Sequence, residues 1–292
     1  MNMTKSADRN FTENTLYSNE QTVDLLYQVA LNRLLDQKEI LAISKKIDDG
    51  EISSKDLLIS IILSPEFCQI LGQEAPRFHL YFIHNTRIKL IKFILPKADI
   101  ILDIGGANGS LIEYGYEYSF QKMIVTDIPP DSRIDELKQI DLEKKWSLHS
   151  KIEVLLTSMT DLSAIESDSI DLVWAGQVVE HISESELKKS LEEIYRVLKI
   201  GGKFCFDTPN ALMARIHSPN YLLHPEHKKE YTPKEMRNLI SGHFCIEKEL
   251  GLLPMPISYK NNDFSYIELI MNNSFSDSLD YSYIMYFECQ KR

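Results

Sequence analysis

Apolar positions follow two rhythms along this chain. Between residues 20 and 72 they recur three and four apart, as in "VDLLYQVALNRLL", where Val23, Leu26, Tyr27, Ala30 and Leu34 share one face of a predicted helix. A second helix is predicted over residues 38–48, ended by Gly50, and a third begins after Ser53, with Asp56 three residues on in "SSKDLLISIIL". "SPEF" at 64–67 opens a further short turn or helix. From about residue 98 the apolar residues bunch into short continuous runs, "DIILDIGG", "KMIVTDI", "KIEVLLTS", "IDLVWAG" and "GKFCFDT", separated by helical patterns. Such runs predict parallel strands buried on both faces and joined by crossover helices, a doubly wound α/β sheet. The helix before "GKFCFDT" has a start signal in Ser183 with Glu186 and a stop at Gly201 and Gly202. "FHLYFIHNTRIKLIKFIL", ahead of the first strand, reads as an amphipathic helix covering the sheet or a ligand, on which Arg87 is a solvated charge or, alternatively, the partner of a ligand carboxylate. The organisation is thus a disordered segment at 1–19, a helical module at 20–75 and an α/β domain at 76–292.

Composition narrows the function classes. A chain of 292 residues, 43% apolar and 26% charged, buries a sizeable core, and a net charge of −11 argues against broad phosphate-backbone binding to nucleic acid. Cys68, Cys205, Cys245 and Cys289 are isolated, so neither a zinc cluster nor a disulfide framework is suggested. The polar start "MNMTKSADRNFTEN" lacks a signal core, and no apolar run reaches the ~18 residues of a membrane span. A cytoplasmic, unanchored protein is the expectation.

The first strand carries the clearest chemistry. "LDIGGANGS" sets Asp103 at its end and Gly105, Gly106 and Gly109 in the turn beyond, where glycine lets the backbone bend tightly and approach a ligand. A dinucleotide fingerprint would need glycine at 107 and glycine or alanine at 110, but the chain has Ala107 and Ser110. The loop instead resembles the acid-x-Gly-x-Gly-x-Gly loop of class I S-adenosylmethionine-dependent methyltransferases, with Ala107 in place of the middle glycine. The resemblance covers about residues 80–290. It implies a seven-stranded sheet whose last strand, "YSYIMYFECQ" after "FCIEKELGL", is antiparallel, and S-adenosylmethionine as cofactor. Asp127, eighteen residues past Gly109, would then accept hydrogen bonds from the ribose hydroxyls, and Ser158 and Met159 would border adenine.

After the fourth strand, "WAGQVVEHIS" inserts Gln177, Glu180 and His181 into an apolar run, a spacing that would put all three on one face of a helix begun near Gly176. His181 with Glu180 reads as a general base with its orienting partner. The segment also resembles the Glu-x-x-Glu-His motif of small-RNA 2′-O-methyltransferases and ubiquinone-pathway O-methyltransferases, the former adding a later histidine before a Glu-aromatic-Thr segment, matched here by His227, Glu230, Tyr231 and Thr232. That resemblance implies a divalent cation held by Glu180, His181 and His227, with Gln177 where a glutamate ligand would stand. His224 lies in the same segment, and Thr232, Pro233 and Glu235 mark the next helix start. Thr208 and Asn210 in "TPN" would face the acceptor, or simply end a strand. Residues 20 to 72, through "YQVALNRL", "DDGEISSKDLL" and "SPEF", resemble a small helical module of bacterial secreted and glycan-associated proteins. The combined expectation is O-methylation of a sugar or glycan intermediate in bacterial surface polysaccharide biosynthesis, with glycan-assembly proteins as partners of the module. The alternative is a catalytically idle methyltransferase-fold scaffold.

Overall fold

The computed structural model describes residues 18–31, 33–62, 64–106, 109, 111–128 and 149–292, without the side chains of 68, 71–81, 114 and 115. Ala107, Ser110 and the N-terminal segment as far as residue 17 therefore lie outside the described residues. The chain divides into two compact units, 1–76 and 77–292.

The first unit holds α1 (Asn19–Leu31), α2 (Gln37–Asp48), α3 (Ser54–Ile62) and the start of α4 (Pro65–Ile91). Its core is Val23, Leu31, Leu35, Leu57 and Ile61. Two local signals set the helix starts. Asp36 and Glu39 close a reciprocal capping box on α2. Ser53 and Asp56 do the same for α3, Asp56 N–H donating to Ser53 Oγ at 3.1 Å and Ser53 N–H to Asp56 Oδ2 at 3.0 Å. "SPEF" opens a 27-residue helix rather than a short turn, and the separate amphipathic helix expected before the first strand is the second half of α4.

The second unit is a mixed sheet with helices on both faces. Its strands are β1 (Ile100–Ile104), β2 (Lys122–Asp127), β3 (Ile152–Leu156), β4 (Ile170–Gly176), β5 (Leu198–Pro209), β6 (Cys245–Pro254), β7 (Phe275–Ser276) and β8 (Ser282–Gln290). Their order is β3-β2-β1-β4-β5-β8-β6-β7. β1 to β5 run parallel, and β8 is antiparallel to β5 and β6, as expected of the last strand. Eight strands rather than seven form the sheet, because the two-residue β7 pairs with Gly251 and Leu252 of β6. The helices between them are α5 (Glu184–Val197), α6 (Ala211–His217), α7 (Pro233–Ile240), α8 (Pro256–Asn261) and α9 (Tyr266–Met271).

Period-two alternation divides each continuous apolar run between two cores. Leu102, Val173, Phe204 and Phe206 meet α5 and α7 through Leu191, Ile194, Met236 and Ile240. Their neighbours Ile101, Leu172, Trp174 and Cys205 meet Ile83 and Ile91 of α4 and Met213 of α6. Each such aliphatic side chain contributes roughly 1.5–3 kcal/mol when taken fully out of water. Both helix starts expected here have reciprocal capping boxes, Ser183 with Glu186 on α5 and Thr232 with Glu235 on α7, the latter with Pro233 in its first turn. α5 stops at Val197, before Gly201 and Gly202, because its Leu198 cap is already extended and pairs with Ile170 of β4. Among the described residues no helix is long and apolar enough to cross a membrane.

Candidate functional site

The carboxyl ends of β1, β2, β4 and β5 open on one cavity of about 1110 Å³. At one end lies the glycine loop. The amides of Gly105 and Gly106 donate to Thr126 O at 2.8 and 3.2 Å, folding the loop back over β2, and Gly109 N–H donates to Gly106 O at 2.8 Å. Gly105 and Gly109 have φ of 70° and 66°, where a side chain is strained. Gly106 is required for a different reason: a Cβ there would lie 2.5 Å from Asp103 Oδ2 and 2.8 Å from Val125 Cγ1. The Asp103 carboxyl is thus pressed against bare loop backbone. It is buried, its Oδ2 has no partner among the described residues, and burial first, then Asp127, pushes its pKa up to about 8 against the pull of Arg87. Asp127, half-buried at the end of β2, accepts Ile128 N–H at 2.7 Å through Oδ1. Beyond β3, Ser158 Oγ accepts Thr160 N–H at 3.2 Å and Met159 packs into the core. Asp103, Gly105, Gly106, Asp127, Ser158 and Met159 all line the cavity, whereas Gly109 supports the loop from outside its lining.

The middle of the cavity is held by an ion pair that the sequence did not disclose. Arg87 on α4 is no solvated charge: it is buried, and its Nη1 lies 2.8 and 2.9 Å from the two carboxylate oxygens of Asp207, a fully buried residue of β5. Burial pushes the Asp207 carboxyl up, while Arg87 and then Gln177 hold it down. Arg87 Nε, also buried, has no partner among the described residues.

The same carboxylate explains why Gln177, Glu180 and His181 do not share a helical face. Gln177 N–H donates to Asp207 O at 3.0 Å and to its Oδ1 at 3.1 Å, and the Gln177 amide also turns to Oδ1 at 3.4 Å. Meeting both sets Gln177 at φ 58°, which breaks helical continuation. A single 3₁₀ turn, Val179–His181, follows, and α5 starts only at Glu184. Gln177 therefore turns its amide nitrogen to Asp207 of β5 while still lining the cavity that Glu180 and His181 share.

Glu180 and His181 form the other end of the cavity with His227. Glu180 is fully buried, Thr208 Oγ1 donates to its Oε2 at 3.1 Å, and its Oε1 has no partner among the described residues. Burial raises its pKa to about 7. His181 and His227 meet edge to face at 4.9 Å between ring centroids, and burial, then His227, lowers the His181 pKa to about 4, so that ring is neutral at physiological pH. One ligand atom from each of Glu180, His181 and His227 lies within 4.8 Å of the others. His224 sits 5.6 Å from His227 between centroids. His84 on α4, unremarked in the sequence, also lines the cavity, its pKa lowered to about 4 by burial. Asn210 does not face the cavity: it is the buried cap of α6, donating to Leu279 O at 2.7 Å and Ser282 O at 2.9 Å. Thr208, by contrast, reaches the site through Glu180.

The arrangement offers a carboxyl acceptor at one end, a guanidinium donor in the middle and two imidazoles with a carboxyl at the other end. Known proteins share the fold that carries it. Residues 102–206 match the family described as a methyltransferase domain. A solved S-adenosylmethionine-dependent methyltransferase of Thermotoga maritima superposes with TM-score 0.51 at 16% identity, over 75% of this chain and 95% of that one. An S-adenosylmethionine-dependent methyltransferase of Mesorhizobium loti is similar at TM-score 0.48 and 14% identity, over 69% and 95% of the two chains. No curated protein matches the chain by sequence. The fold is that of the α/β methyltransferases, preceded by N-terminal helices.

Proposed function

We propose that the chain is an S-adenosylmethionine-dependent methyltransferase that methylates a hydroxyl of a sugar or glycan intermediate in bacterial surface polysaccharide biosynthesis. One observation carries the enzyme reading: a single cavity runs from the Asp103 glycine loop to the Glu180, His181 and His227 cluster. The orphaned polar atoms fit the cofactor. Asp103 Oδ2, an acceptor, suits its ammonium, and Arg87 Nε, a donor, suits its carboxylate, whereas burying either atom unmatched costs about 1–3 kcal/mol. Asp127 would take the ribose hydroxyls, and Ser158 and Met159 would border adenine. When bound, the cofactor supplies a methyl group on a sulfonium centre.

The chain's own residues then have the remaining work of aligning an acceptor and taking its proton. Neutral His181 is a suitable base for a hydroxyl proton, with Glu180 close enough to share the charge. A divalent cation held by Glu180, His181 and His227 is the alternative use of the same atoms. Two imidazoles and one carboxyl suit a borderline cation such as zinc better than magnesium, and Gln177, whose amide nitrogen turns to Asp207, supplies no charged ligand. Chelation distinguishes the two uses: activity lost to chelator and restored by added metal supports the cation, and chelator-insensitive activity assigns His181 the base role.

The glycan acceptor and glycan-assembly partners rest on the likeness of residues 20–72 to glycan-associated modules. A second reading, a catalytically idle scaffold, is favoured by Ala107, Ser158 and Gln177, which stand where the methyltransferases the chain resembles carry a glycine, often an acid, and a glutamate. Transfer of labelled methyl from S-adenosylmethionine to a panel of glycans and sugar nucleotides decides between them. Transfer to any acceptor removes the scaffold reading; bound S-adenosylhomocysteine with no transfer across the panel supports it.

A further inference from the structure

The strap between α6 and α7 carries more than His227. Glu230 is buried at its end, and its Oε1 accepts Leu223 N–H at 2.7 Å while lying 2.7 Å from His227 Nδ1. An oxygen taking a main-chain amide acts as an acceptor, so the hydrogen of the second bond belongs to His227 Nδ1. A neutral imidazole has one N–H, which leaves the lone pair on Nε2. The two side chains are 8% and 5% exposed, so water does not compete for this bond. His181 meets the same strap at His227, edge to face at 4.9 Å between ring centroids. The strap itself is clamped to the 3₁₀ turn, Lys228 N–H and Lys229 N–H donating to Glu180 O at 2.8 and 3.2 Å.

We infer that Glu230 is a positioning residue: it fixes His227 as the Nδ1–H tautomer and, by holding the Leu223 end of the strap with the same oxygen, aims the bare Nε2 at Glu180 and His181. The inference rests on the reading of that cluster as the reacting end of the site. A carboxylate behind a histidine sets both tautomer and ring orientation, whichever task the free nitrogen performs. Neither His227 nor the cavity lining discloses this by itself, because Glu230 does not touch the cavity.

The test is two-bond ¹H–¹⁵N correlation of the imidazoles in the uniformly labelled full chain, with His227→Gln and His181→Gln to assign the signals. The expected wild-type spectrum has His227 protonated on Nδ1 and bare on Nε2. Glu230→Ala should convert it to exchanging tautomers, and Glu230→Gln should restore the wild-type pattern, since an amide oxygen also accepts. S-adenosylhomocysteine affinity, read at the far end of the cavity, should stay within about twofold in both variants. A wild-type His227 protonated on Nε2, or a Glu230→Ala spectrum identical to wild type, overturns the inference. Loss of the methyltransferase reading registers separately, as absent S-adenosylhomocysteine binding with the tautomer pattern intact.

Discussion

The two ends of the cavity are built by different means. At the loop end the chain presents backbone: Gly105 and Gly106 are tied to Thr126 one strand away, and the Asp103 carboxyl lies against Gly106. At the histidine end it presents side chains held by other side chains, Glu180 by Thr208 of β5, His227 by Glu230, and His181 by its edge-to-face contact with His227. A backbone site is specified by glycine spacing and tolerates little change at those positions. A side-chain site is specified by tertiary contacts, so its members are separable by mutation. The Arg87 and Asp207 pair sits between the two and underlies both.

That middle pair should give the largest effect. Arg87→Met leaves Asp207 buried without its cation and should destabilise the protein by about 3–5 kcal/mol, read as a shift in urea midpoint, whereas a change within about 0.5 kcal/mol would show the pair to be dispensable. Gly106→Ala comes next. Its Cβ would force Asp103 or Val125 aside at a cost of about 1–3 kcal/mol and should abolish S-adenosylhomocysteine binding; retained affinity would mean that the loop is not the cofactor cradle. Asp127→Ala should weaken that binding by about 1.5–3 kcal/mol with an unchanged melting temperature, since the residue is half-buried and supports no core.

A smaller effect follows from the raised pKa of Asp103. The folded protein holds a proton on Asp103 that the unfolded chain releases near 3.8, so this contribution to stability is fully present below pH 3.8 and is lost as pH rises to about 8. Urea titrations of wild type and Asp103→Asn between pH 5 and 8 check the sign: the wild type should lose stability relative to the variant as pH rises, and parallel curves would contradict it. Ligand affinity should run the other way, because an ammonium ion prefers the ionised carboxyl. The smallest change is expected from Gln177→Glu, which sets a second carboxylate against Asp207 instead of adding a metal ligand. Metal affinity measured by calorimetry should therefore not rise; a tenfold gain would restore the expected Glu-x-x-Glu-His site.

The contrast between the ends also explains what the sequence could disclose. The strands and the helix starts at Ser53, Ser183 and Thr232 follow from local periodicity and capping, which neighbouring residues encode, whereas the antiparallel β8 was expected only from the resemblance to methyltransferases. The cavity position of Asp103, Gly105 and Gly106 follows from a turn only a few residues long. Arg87 was misread because its partner lies 120 residues away and nothing local to α4 marks the buried charge. Gln177 was misread because the helical spacing of "QVVEH" is overridden by one tertiary acceptor, Asp207, which draws its backbone to φ 58°. Glu230 was visible only as part of a motif, and its tie to His227 emerges once Leu223 is seen to share the same oxygen.

The most direct measurement of the central claim is calorimetric titration of the full chain with S-adenosylhomocysteine, repeated on Asp127→Ala. The account predicts a saturable one-to-one heat for wild type, thermal stabilisation by the ligand, and a clear loss of affinity in the variant. Absence of both heat and thermal stabilisation at millimolar ligand would contradict it.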